Sequence, residues 1–298
     1  MHVDVAVLGS ANLDQVLRVA TIPAPGETVL ATGQDRHAGG KGLNQAVAAV
    51  RAGATTAMIA ALGHDDAGDE LLAAMHADGI DTAAVRRVDE PSGAALIVVA
   101  DSGENAIVVA PGANAVMTEL RALGRETIAD AAVLVAQLEG PVAGVAEAAE
   151  AARANGTTVL LNAAPAQPLD DELLRLVDVL VVNEHEAVAL GGAGDPVDAA
   201  VALTDRVRAV VVTLGADGAA HVDADGLTRT PGVPADAVDT TGAGDTFVGV
   251  LAAALATGSA IDVAVRRAVT AGALSVETAG AVPSIPTRSA VDARLVRW

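Results

Sequence analysis

A glycine-rich segment in the last quarter of the chain carries the strongest indication of chemistry. Residues 239–247 read DTTGAGDTF, in which Gly242 and Gly244 flank Ala243 and are followed directly by the carboxylate of Asp245. The apolar run FVGVLAAALA comes next and predicts a buried helix. A glycine-rich turn at a helix N-terminus presents unpaired backbone N–H groups, and the helix dipole favours anions there.

Two interpretations of Asp245 are open on this segment alone. An acid would oppose simple phosphate binding, but it suits a loop that stabilises a transferring phosphoryl group while Asp245 accepts a proton from the attacking hydroxyl. Alternatively, Asp245 caps the helix and the glycines serve a tight turn. The rest of the chain has to decide between them.

Two side chains that suit a polyol follow the first predicted strand. This strand ends in GSANLD, so Asn12 and Asp14 lie just beyond its carboxyl end, where open α/β sheets bind ligands. An amide and a carboxylate at this spacing can hydrogen-bond neighbouring hydroxyls, although both residue types also cap turns. No G-x-G-x-x-G follows the strand, which argues against a dinucleotide site.

A second glycine-rich helix entry, AGGKGLNQAVAAVRAGA, occupies residues 38–54. It lacks the spacing of a Walker P-loop, and Lys41 and Asn44 project from its first turn. A lysine at a helix N-terminus is unfavourable against the dipole, and such a local misfit is typical of a binding residue. A solvated loop lysine is the alternative.

Polar residues also follow three later predicted strands. Glu139 lies in AQLEG, and VVNEHEA supplies Asn183 and Glu186, which share a face three residues apart and could hold water around Mg²⁺. His185 has no second histidine at a metal spacing, so we expect it on the helix surface. VVTLGADG, at 211–218, has glycines whose amides could face nucleotide phosphates. Five polar turns at predicted strand ends together indicate one ligand site.

Continuous apolar runs alternate with alanine-rich helical patterns, which predicts βαβ units and a parallel sheet covered on both faces. The predicted strands are Val3–Leu8, Thr56–Ala61, Val133–Gln137, Thr158–Asn162, Val179–Val182 and Ala209–Thr213. The predicted helices are Leu43–Ala52, Gly68–Asp78, Val142–Asn155, Val197–Arg206, Ala243–Thr257 and one from Ile261 to about Glu277.

Two segments break this alternation. Residues from about 15–38 and 92–110 are rich in Val or Thr without a helical period, and the second predicts a hairpin that turns at Asp101–Asn105. We expect them to form a small separate sheet that acts as a lid beside the site and offers a dimer surface.

The composition narrows the function further. Of the 298 residues, 52% are hydrophobic but only 1% are aromatic, which argues against binding single-stranded nucleic acid by stacking. A formal net charge of −20 repels a phosphate backbone. The absence of cysteine excludes disulfides, thiol catalysis and cysteine-ligated zinc. The N-terminus lacks the pattern of a signal peptide, and the longest uncharged span, 246–261, is shorter than the roughly 20 residues of a membrane helix. We expect a soluble cytoplasmic protein with neither nucleic-acid nor membrane partners.

Taken together, these residues resemble the PfkB family of carbohydrate kinases from Leu8 to about Pro286. The most specific pieces are GGKGLNQA and DTTGAGDTF, and PAPGETV, LGHDDAGDELL, QLEGP and NEHEA agree in order and spacing. The resemblance implies one α/β domain over residues 1–298 with the ribokinase-like fold: an open, mostly parallel sheet between helices, with the small β lid as a β-clasp. It also implies ATP-dependent phosphorylation of D-ribose at O5, with Mg²⁺ and an activating K⁺, and a homodimer formed through the lid.

The resemblance assigns roles to individual residues. Asp245 would be the base, and the amides of Gly242, Ala243 and Gly244 the anion hole. The sugar-binding positions are Asn12, Asp14, Gly40, Lys41, Asn44, Glu139 and Asp245. The ATP-binding positions are Asn183, Thr213, Leu214, Gly215, Ala216, Asp217, Gly218 and Gly244. Asn183 and Glu186 would support Mg²⁺, and the K⁺ positions are Asp239, Thr241, Ser275, Thr278, Gly280 and Ser284.

The chain departs from the family pattern at two places. NAAP at 162–165 replaces the frequent Asn-Pro-Ala-Pro, and Val269 stands where many relatives place His or Asn against the adenine. Two kinds of function remain as alternatives. The first is the same kinase chemistry on another pentose, deoxyribose or a nucleoside, and the second is a non-catalytic sugar-sensing protein.

Overall fold

The apolar runs of the sequence form the strands of two sheets in a computed structural model, which describes residues 3–297. The strands are β1 Val3–Leu8, β2 Asn12–Val19, β3 Gly33–Gly39, β4 Thr56–Gly63, β5 Val85–Val88, β6 Gly93–Ala100, β7 Asn105–Ala110, β8 Ala131–Ala136, β9 Thr158–Asn162, β10 Val179–Asn183, β11 Ala209–Thr213, β12 Ala219–Asp223 and β13 Gly226–Thr230.

The larger sheet has the strand order β13-β12-β11-β10-β9-β8-β1-β4-β5 within the described residues. From β5 to β11 all neighbouring strands are parallel, and β12 and β13 are added antiparallel. The expected open, mostly parallel sheet is therefore confirmed. Three predicted strands have the observed bounds, and the antiparallel pair at one edge was not predicted from the sequence.

Helices cover both faces of this sheet. They are α1 Lys41–Arg51, α2 Asp66–Ala77, α3 Ala122–Ala129, α4 Val142–Asn155, α5 Asp171–Leu174, α6 Glu184–Gly191, α7 Pro196–Leu203, α8 Ala243–Ala256, α9 Ile261–Ser275, α10 Ala281–Ser284 and α11 Arg288–Arg297, with 3₁₀ turns at Gly112–Val116 and Gly215–Asp217. Alternate residues of β1 enter opposite cores: Val5 and Val7 face α1 and α8, whereas Ala6 and Leu8 face α4. Among the described helices, none is long and apolar enough to cross a membrane.

The smaller sheet has the order β3-β2-β6-β7, with β2 parallel to β6 and antiparallel to β3. The predicted hairpin is present, since β6 and β7 pair antiparallel on either side of residues 101–104. The prediction of a small separate sheet is thus confirmed. Its first segment contains two strands and a connection over 20–32 that is not strand.

One glycine decides how closely two central helices approach. A Cβ on Gly249 in α8 would lie 2.4 Å from the backbone oxygen of Gln45 and 2.5 Å from Cβ of Ala48, both in α1. Only a residue without a side chain fits this contact. The close approach places the first turns of α1 and α8 side by side, although about 200 residues separate them.

Candidate active site

Asp245 lies in the first turn of α8, and its side chain is almost fully buried, with 7% of the residue exposed. The helix begins after Gly242, whose φ of 74° is in the left-handed region that favours glycine. The glycine-rich segment therefore forms the helix entry that the sequence predicts, with the carboxylate at the positive end of the helix dipole.

The backbone amides of this turn are partly available to a ligand. The N–H of Ala243 donates to the oxygen of Thr240 at 3.2 Å. Within residues 3–297, the amides of Gly242 and Gly244 have no acceptor. Two of the three predicted anion-hole donors are therefore free to bind an anion, and the third already has an intramolecular partner.

Two consecutive residues of α1 hold the Asp245 carboxylate. Asn44 Nδ2 donates to Asp245 Oδ2 and Gln45 Nε2 donates to Asp245 Oδ1, both at 2.9 Å. Burial raises the pKa of Asp245, while the charge of Lys41 and these two hydrogen bonds oppose the rise. A carboxylate with a raised pKa is a stronger proton acceptor than one in water.

Lys41 is in the cleft rather than in a solvated loop. It is half-buried, and it lines a cavity of about 240 Å³ together with Asn183, Glu186 and Asp245. Its positive charge lowers the pKa of both Glu186 and Asp245. Lys41 is therefore not a solvated loop lysine, and its role in binding stays a prediction.

Asn12 and Asp14 are the first and third residues of β2, where the lid leaves the main sheet. Asn12 is buried, and its Oδ1 accepts from Nδ2 of Asn114 at 2.8 Å. Burial, together with the negative charge of Glu139, raises the pKa of Asp14 to about 7. The carboxylate of Asp14 lies against Gly39, where a Cβ would be 2.2 Å from Oδ2.

Glu139 links the turn after β1 to the glycine-rich entry of α1 by hydrogen bonds to both. Its Oε2 accepts from the hydroxyl of Ser10 at 2.5 Å and from the backbone amide of Lys41 at 3.0 Å. Because Gly40 precedes this helix with a φ of 91°, the chain turns sharply toward Glu139 at that point. Glu139 therefore fixes the entry of α1 against the end of β1.

Asn183 and Glu186 form a reciprocal pair at the start of α6. Asn183 Oδ1 accepts from the amide of Glu186 at 2.9 Å, and Glu186 Oε2 accepts from the amide of Asn183 at 2.8 Å. Burial raises the pKa of Glu186, and the hydrogen bond from Asn183 opposes this. His185 is exposed, as the sequence predicts.

A larger cavity of about 470 Å³ adjoins this cleft, and the two share Thr213, Thr240 and Gly244. Five predicted ATP-binding residues line it: Thr213, Gly215, Ala216, Gly218 and Gly244. Leu214 and Asp217 lie in the same turn but do not line the cavity. Val269 does line it, in an apolar wall that also includes Phe247.

The predicted cation positions are partly connected. Asp239 Oδ1 accepts from the amide and the hydroxyl of Thr241 at 2.9 and 2.6 Å, and Oδ2 accepts from the amide of Gly280 at 2.8 Å. Although burial alone would raise it, these bonds hold the pKa of Asp239 below its ordinary value. The amide of Thr278 donates to the oxygen of Ser275, and the hydroxyls of Ser275 and Ser284 donate to nearby carbonyls. The 239–241 turn thus lies against the 276–280 segment.

Four buried polar residues of the site were not identified from the sequence: Ser10, Gln45, Asn114 and Gln137. They lie within or beside motifs but follow no local pattern that marks them as ligand-binding. Asn114 belongs to a 3₁₀ turn after β7, and Gln137 follows β8. Each has a side-chain partner at least 92 residues away in the chain, so only the folded structure shows these contacts.

Several known proteins are similar to this chain in sequence and in fold. A family model described as pfkB family carbohydrate kinase matches residues 3–288. A ribokinase of Haemophilus influenzae is 43% identical over 297 residues, covering 97% of each chain. A deoxyribokinase of Salmonella typhi is 34% identical, over 95% of this chain and 96% of that protein. Arabidopsis thaliana ribokinase, solved with ribose and ATP, superposes with a TM-score of 0.93 at 32% identity, covering 99% of each chain.

Proposed function

The chain belongs to the pfkB family of carbohydrate kinases, and we propose that it transfers the γ-phosphoryl group of ATP to O5 of D-ribose, giving D-ribose 5-phosphate. The observation that carries the proposal is the buried Asp245 carboxylate at the N-terminus of α8. It faces a cleft that continues into the larger cavity next to Thr213. A proton acceptor, an anion site and a nucleotide-sized cavity therefore adjoin one another.

The sugar is held by polar side chains at the base of the lid. Asn44 uses Nδ2 on Asp245, whereas its buried Oδ1 has no hydrogen-bond partner within the described residues. An orphaned buried acceptor is costly unless a ligand satisfies it, so we assign it a sugar hydroxyl. Asn12 and Asp14 supply further contacts to neighbouring hydroxyls, with Lys41 and Glu139 at the helix entry.

Asp245 accepts the proton of the attacking hydroxyl while the amides of Gly242 and Gly244 stabilise the charge on the transferring group. The protein forms no covalent intermediate in this reaction, so positioning and electrostatic stabilisation account for catalysis. The raised pKa of Asp245 supports its role as the acceptor. Lys41 adds positive charge to the same cleft.

Glu186 and Asn183 fit a magnesium ion held mainly by phosphates and water. Glu186 uses one carboxylate oxygen on the amide of Asn183, which leaves the other for a water ligand. No cluster of three or more acidic or histidine side chains that could form a metal cage occurs within residues 3–297. When bound, Mg²⁺ neutralises the charge that develops on the phosphates.

The turn around Asp239 fits a monovalent cation such as K⁺. Asp239 stays ionised, because its pKa lies below the ordinary value. The hydroxyls of Ser275 and Ser284 donate their protons to the oxygens of Gly272 and Ala281, so their lone pairs remain to accept a cation. We propose that K⁺ binds here and fixes the helix entry that carries Gly242.

The alternative acceptors are pentoses other than ribose, deoxyribose and nucleosides. Asn12 and Asp14 lie two residues apart at the lid base, and this pairing favours a sugar with adjacent hydroxyls over deoxyribose. A sugar-sensing protein without turnover is disfavoured because the base, its two amide donors and the free amides of the helix entry are all in place.

One experiment tests the function. ADP release is measured with Mg·ATP and a panel of pentoses, hexoses and nucleosides, each with and without K⁺. We expect release that depends on ribose and increases with K⁺. Turnover with a nucleoside alone would overturn the acceptor, and turnover unaffected by K⁺ would overturn the cation site.

We also propose a homodimer formed through the lid. Strand β7 is an edge strand, exposed along its whole length, and Ile107, Val108 and Val109 are 55%, 68% and 52% exposed. Exposed apolar edges of this kind are typical of protein interfaces.

Light scattering should give twice the monomer mass for the native chain and the monomer mass for Val108→Lys. Val201→Lys, on an exposed site of α7, serves as the control and should stay dimeric. A monomeric native chain would contradict the proposal.

A further inference from the structure

We propose that Gln45 is a positioning residue that holds the Asp245 carboxylate through one N–H of fixed orientation. The inference rests on the proposed role of Asp245 as the base. Gln45 is fully buried in α1 and contacts no predicted ligand position other than Asp245 through its hydrogen bonds. Its amide connects the base to two other buried amide side chains on the main sheet.

The orientation of the Gln45 amide is determined from a backbone group. The oxygen of Val181 in β10 can only accept, so the group of Asn162 facing it at 3.2 Å must be Nδ2. This leaves Asn162 Oδ1 to face Gln45, and it accepts from Gln45 Nε2 at 3.0 Å. The same nitrogen donates its second proton to Asp245 Oδ1 at 2.9 Å. Gln45 therefore cannot present its oxygen to the carboxylate without losing both bonds.

The other end of the Gln45 amide is bound as well. Gln45 Oε1 accepts from Gln137 Nε2 at 2.7 Å. Gln137 is buried, and a Cβ on Gly9 would lie 2.0 Å from its Oε1. Gln137 thus supports Gln45 from the side that faces away from Asp245, and it forms no hydrogen bond to the carboxylate itself.

Each oxygen of Asp245 consequently accepts one amide N–H, from Asn44 on Oδ2 and from Gln45 on Oδ1. Rotation of the carboxylate would break both bonds, so its remaining lone pairs point in fixed directions. The charged groups around it are Lys41 on α1, Glu139 after β8 and Glu186 on α6. Within residues 3–297, only the amides of Asn44 and Gln45 bind the carboxylate directly, so removing one should both loosen the base and make it easier to protonate.

The test compares Gln45→Met with a control outside the site, Thr157→Val, and both substitutions are nearly isosteric. Gln45→Met should lower kcat by about 10- to 100-fold with a small change in KM, because the base loses its alignment. The acidic limb of its pH–kcat/KM profile should move up by about one pH unit. Thr157 lies just before β9, and its buried hydroxyl donates to the oxygens of Ile128 and Ala131. Thr157→Val removes these hydrogen bonds without touching the donors on Asp245, so it should lower Tm but keep kcat and an unshifted limb.

Replacing the Gln45 amide by a carboxylate should lower turnover more than removing the amide does. Gln45→Glu puts a second acid of the same shape beside Asp245, and the two would share a proton, which raises the apparent pKa of the pair. We therefore expect lower turnover for Gln45→Glu than for Gln45→Met at neutral pH. Equal kcat losses in Gln45→Met and Thr157→Val, with equal falls in Tm and unshifted limbs, would overturn the proposal.

A second measurement does not depend on turnover and so separates this inference from the proposed function. The ¹³C carboxyl resonance of Asp245 is assigned with Asp245→Asn and titrated in the native chain and in Gln45→Met. A midpoint that is higher in Gln45→Met supports the positioning role even if ribose is not the acceptor. An identical midpoint in the two proteins would overturn it.

Discussion

Nδ2 of Asn44 donates a hydrogen bond to Oδ2 of Asp245 at 2.9 Å across 201 residues of sequence, while Oδ1 of Asn44 is buried without a partner within residues 3–297. One side chain thus contacts the proposed base and carries an unsatisfied acceptor. We propose that a sugar hydroxyl binds this Oδ1, which would fix the distance between the sugar and the carboxylate. In this proposal, substrate binding and alignment of the base are coupled through Asn44.

Replacement of Asp245 by Asn should lower kcat by at least about 10²- to 10⁴-fold, because the proton of the sugar hydroxyl loses its acceptor. The substitution is isosteric, so ribose and ATP should still bind. Steady-state kinetics and calorimetric titration of both ligands check this prediction. Near-normal turnover would remove Asp245 from the role of base.

Replacement of Asn114 by Leu should raise KM for ribose by about 10-fold with a smaller effect on kcat. Asn114 Oδ1 accepts from the amide of Ala11 at 3.1 Å, which makes its Nδ2 the donor to Asn12 Oδ1. Asn12 is thereby fixed with its own amide nitrogen available to the sugar. The expected 10-fold rise in KM corresponds to a loss of about 1.4 kcal/mol in binding free energy.

The matched control for Asn114→Leu is Asn155→Leu. Asn155 lies exposed at the end of α4, and its side chain donates to the oxygen of Ala151. Its kinetics should be those of the native chain. An unchanged KM in Asn114→Leu would show that Asn12 keeps its orientation without this contact.

Replacement of Asp14 by Asn should stabilise the protein while weakening sugar binding. The pKa of Asp14 rises to about 7 from an ordinary 3.8, so the native state binds more protons than the unfolded state between these values. The stability contributed by Asp14 is therefore present below about pH 4 and is lost as pH rises through 7. At pH 8 the variant should be more stable by about 2 kcal/mol, which allows for partial screening.

Urea unfolding at pH 5, 6, 7 and 8 measures this effect of Asp14→Asn. The gain over the native chain should grow with pH and level off above about pH 7. A gain that is equal at every pH would mean that packing against Gly39, rather than ionisation, decides the difference. KM for ribose should rise in the same variant, because the proposed sugar contact of Asp14 is kept although the residue lowers the stability of the fold.

Replacement of Gly249 by Val should destabilise the protein by about 3 kcal/mol or more. The added side chain would overlap the backbone oxygen of Gln45 and force α1 away from α8. Activity should fall further than stability alone explains, because Asn44 and Gln45 move with α1. Gly194→Ala is the control, since a Cβ there meets no atom of residues 3–297 within 4 Å, and this variant should leave Tm unchanged. A Gly249→Val protein with native Tm would show that the helices separate at little cost.

The sequence alone determined the fold class and the position of an acid at a glycine-rich helix entry. Continuous apolar runs predicted β1, β9 and β11 with their observed bounds, since a strand buried on both faces has a local pattern. The position of Asp245 after two glycines predicted an acid at a helix entry for the same local reason. K⁺ binding, dimerisation and a cytoplasmic location stay predictions.

Only the tertiary structure decided which buried amides support Asp245 and Asn12. Gln45, Gln137 and Asn114 are neutral amides in buried elements, and no periodicity or motif distinguishes an amide that holds a carboxylate from one that fills a core. Their roles depend on contacts across the sheet and between helices, such as the approach of α1 to α8 that Gly249 permits. Hydrogen-bond partners of buried side chains are set by packing between distant segments, whereas strands, helices and turns are set by neighbours in the chain.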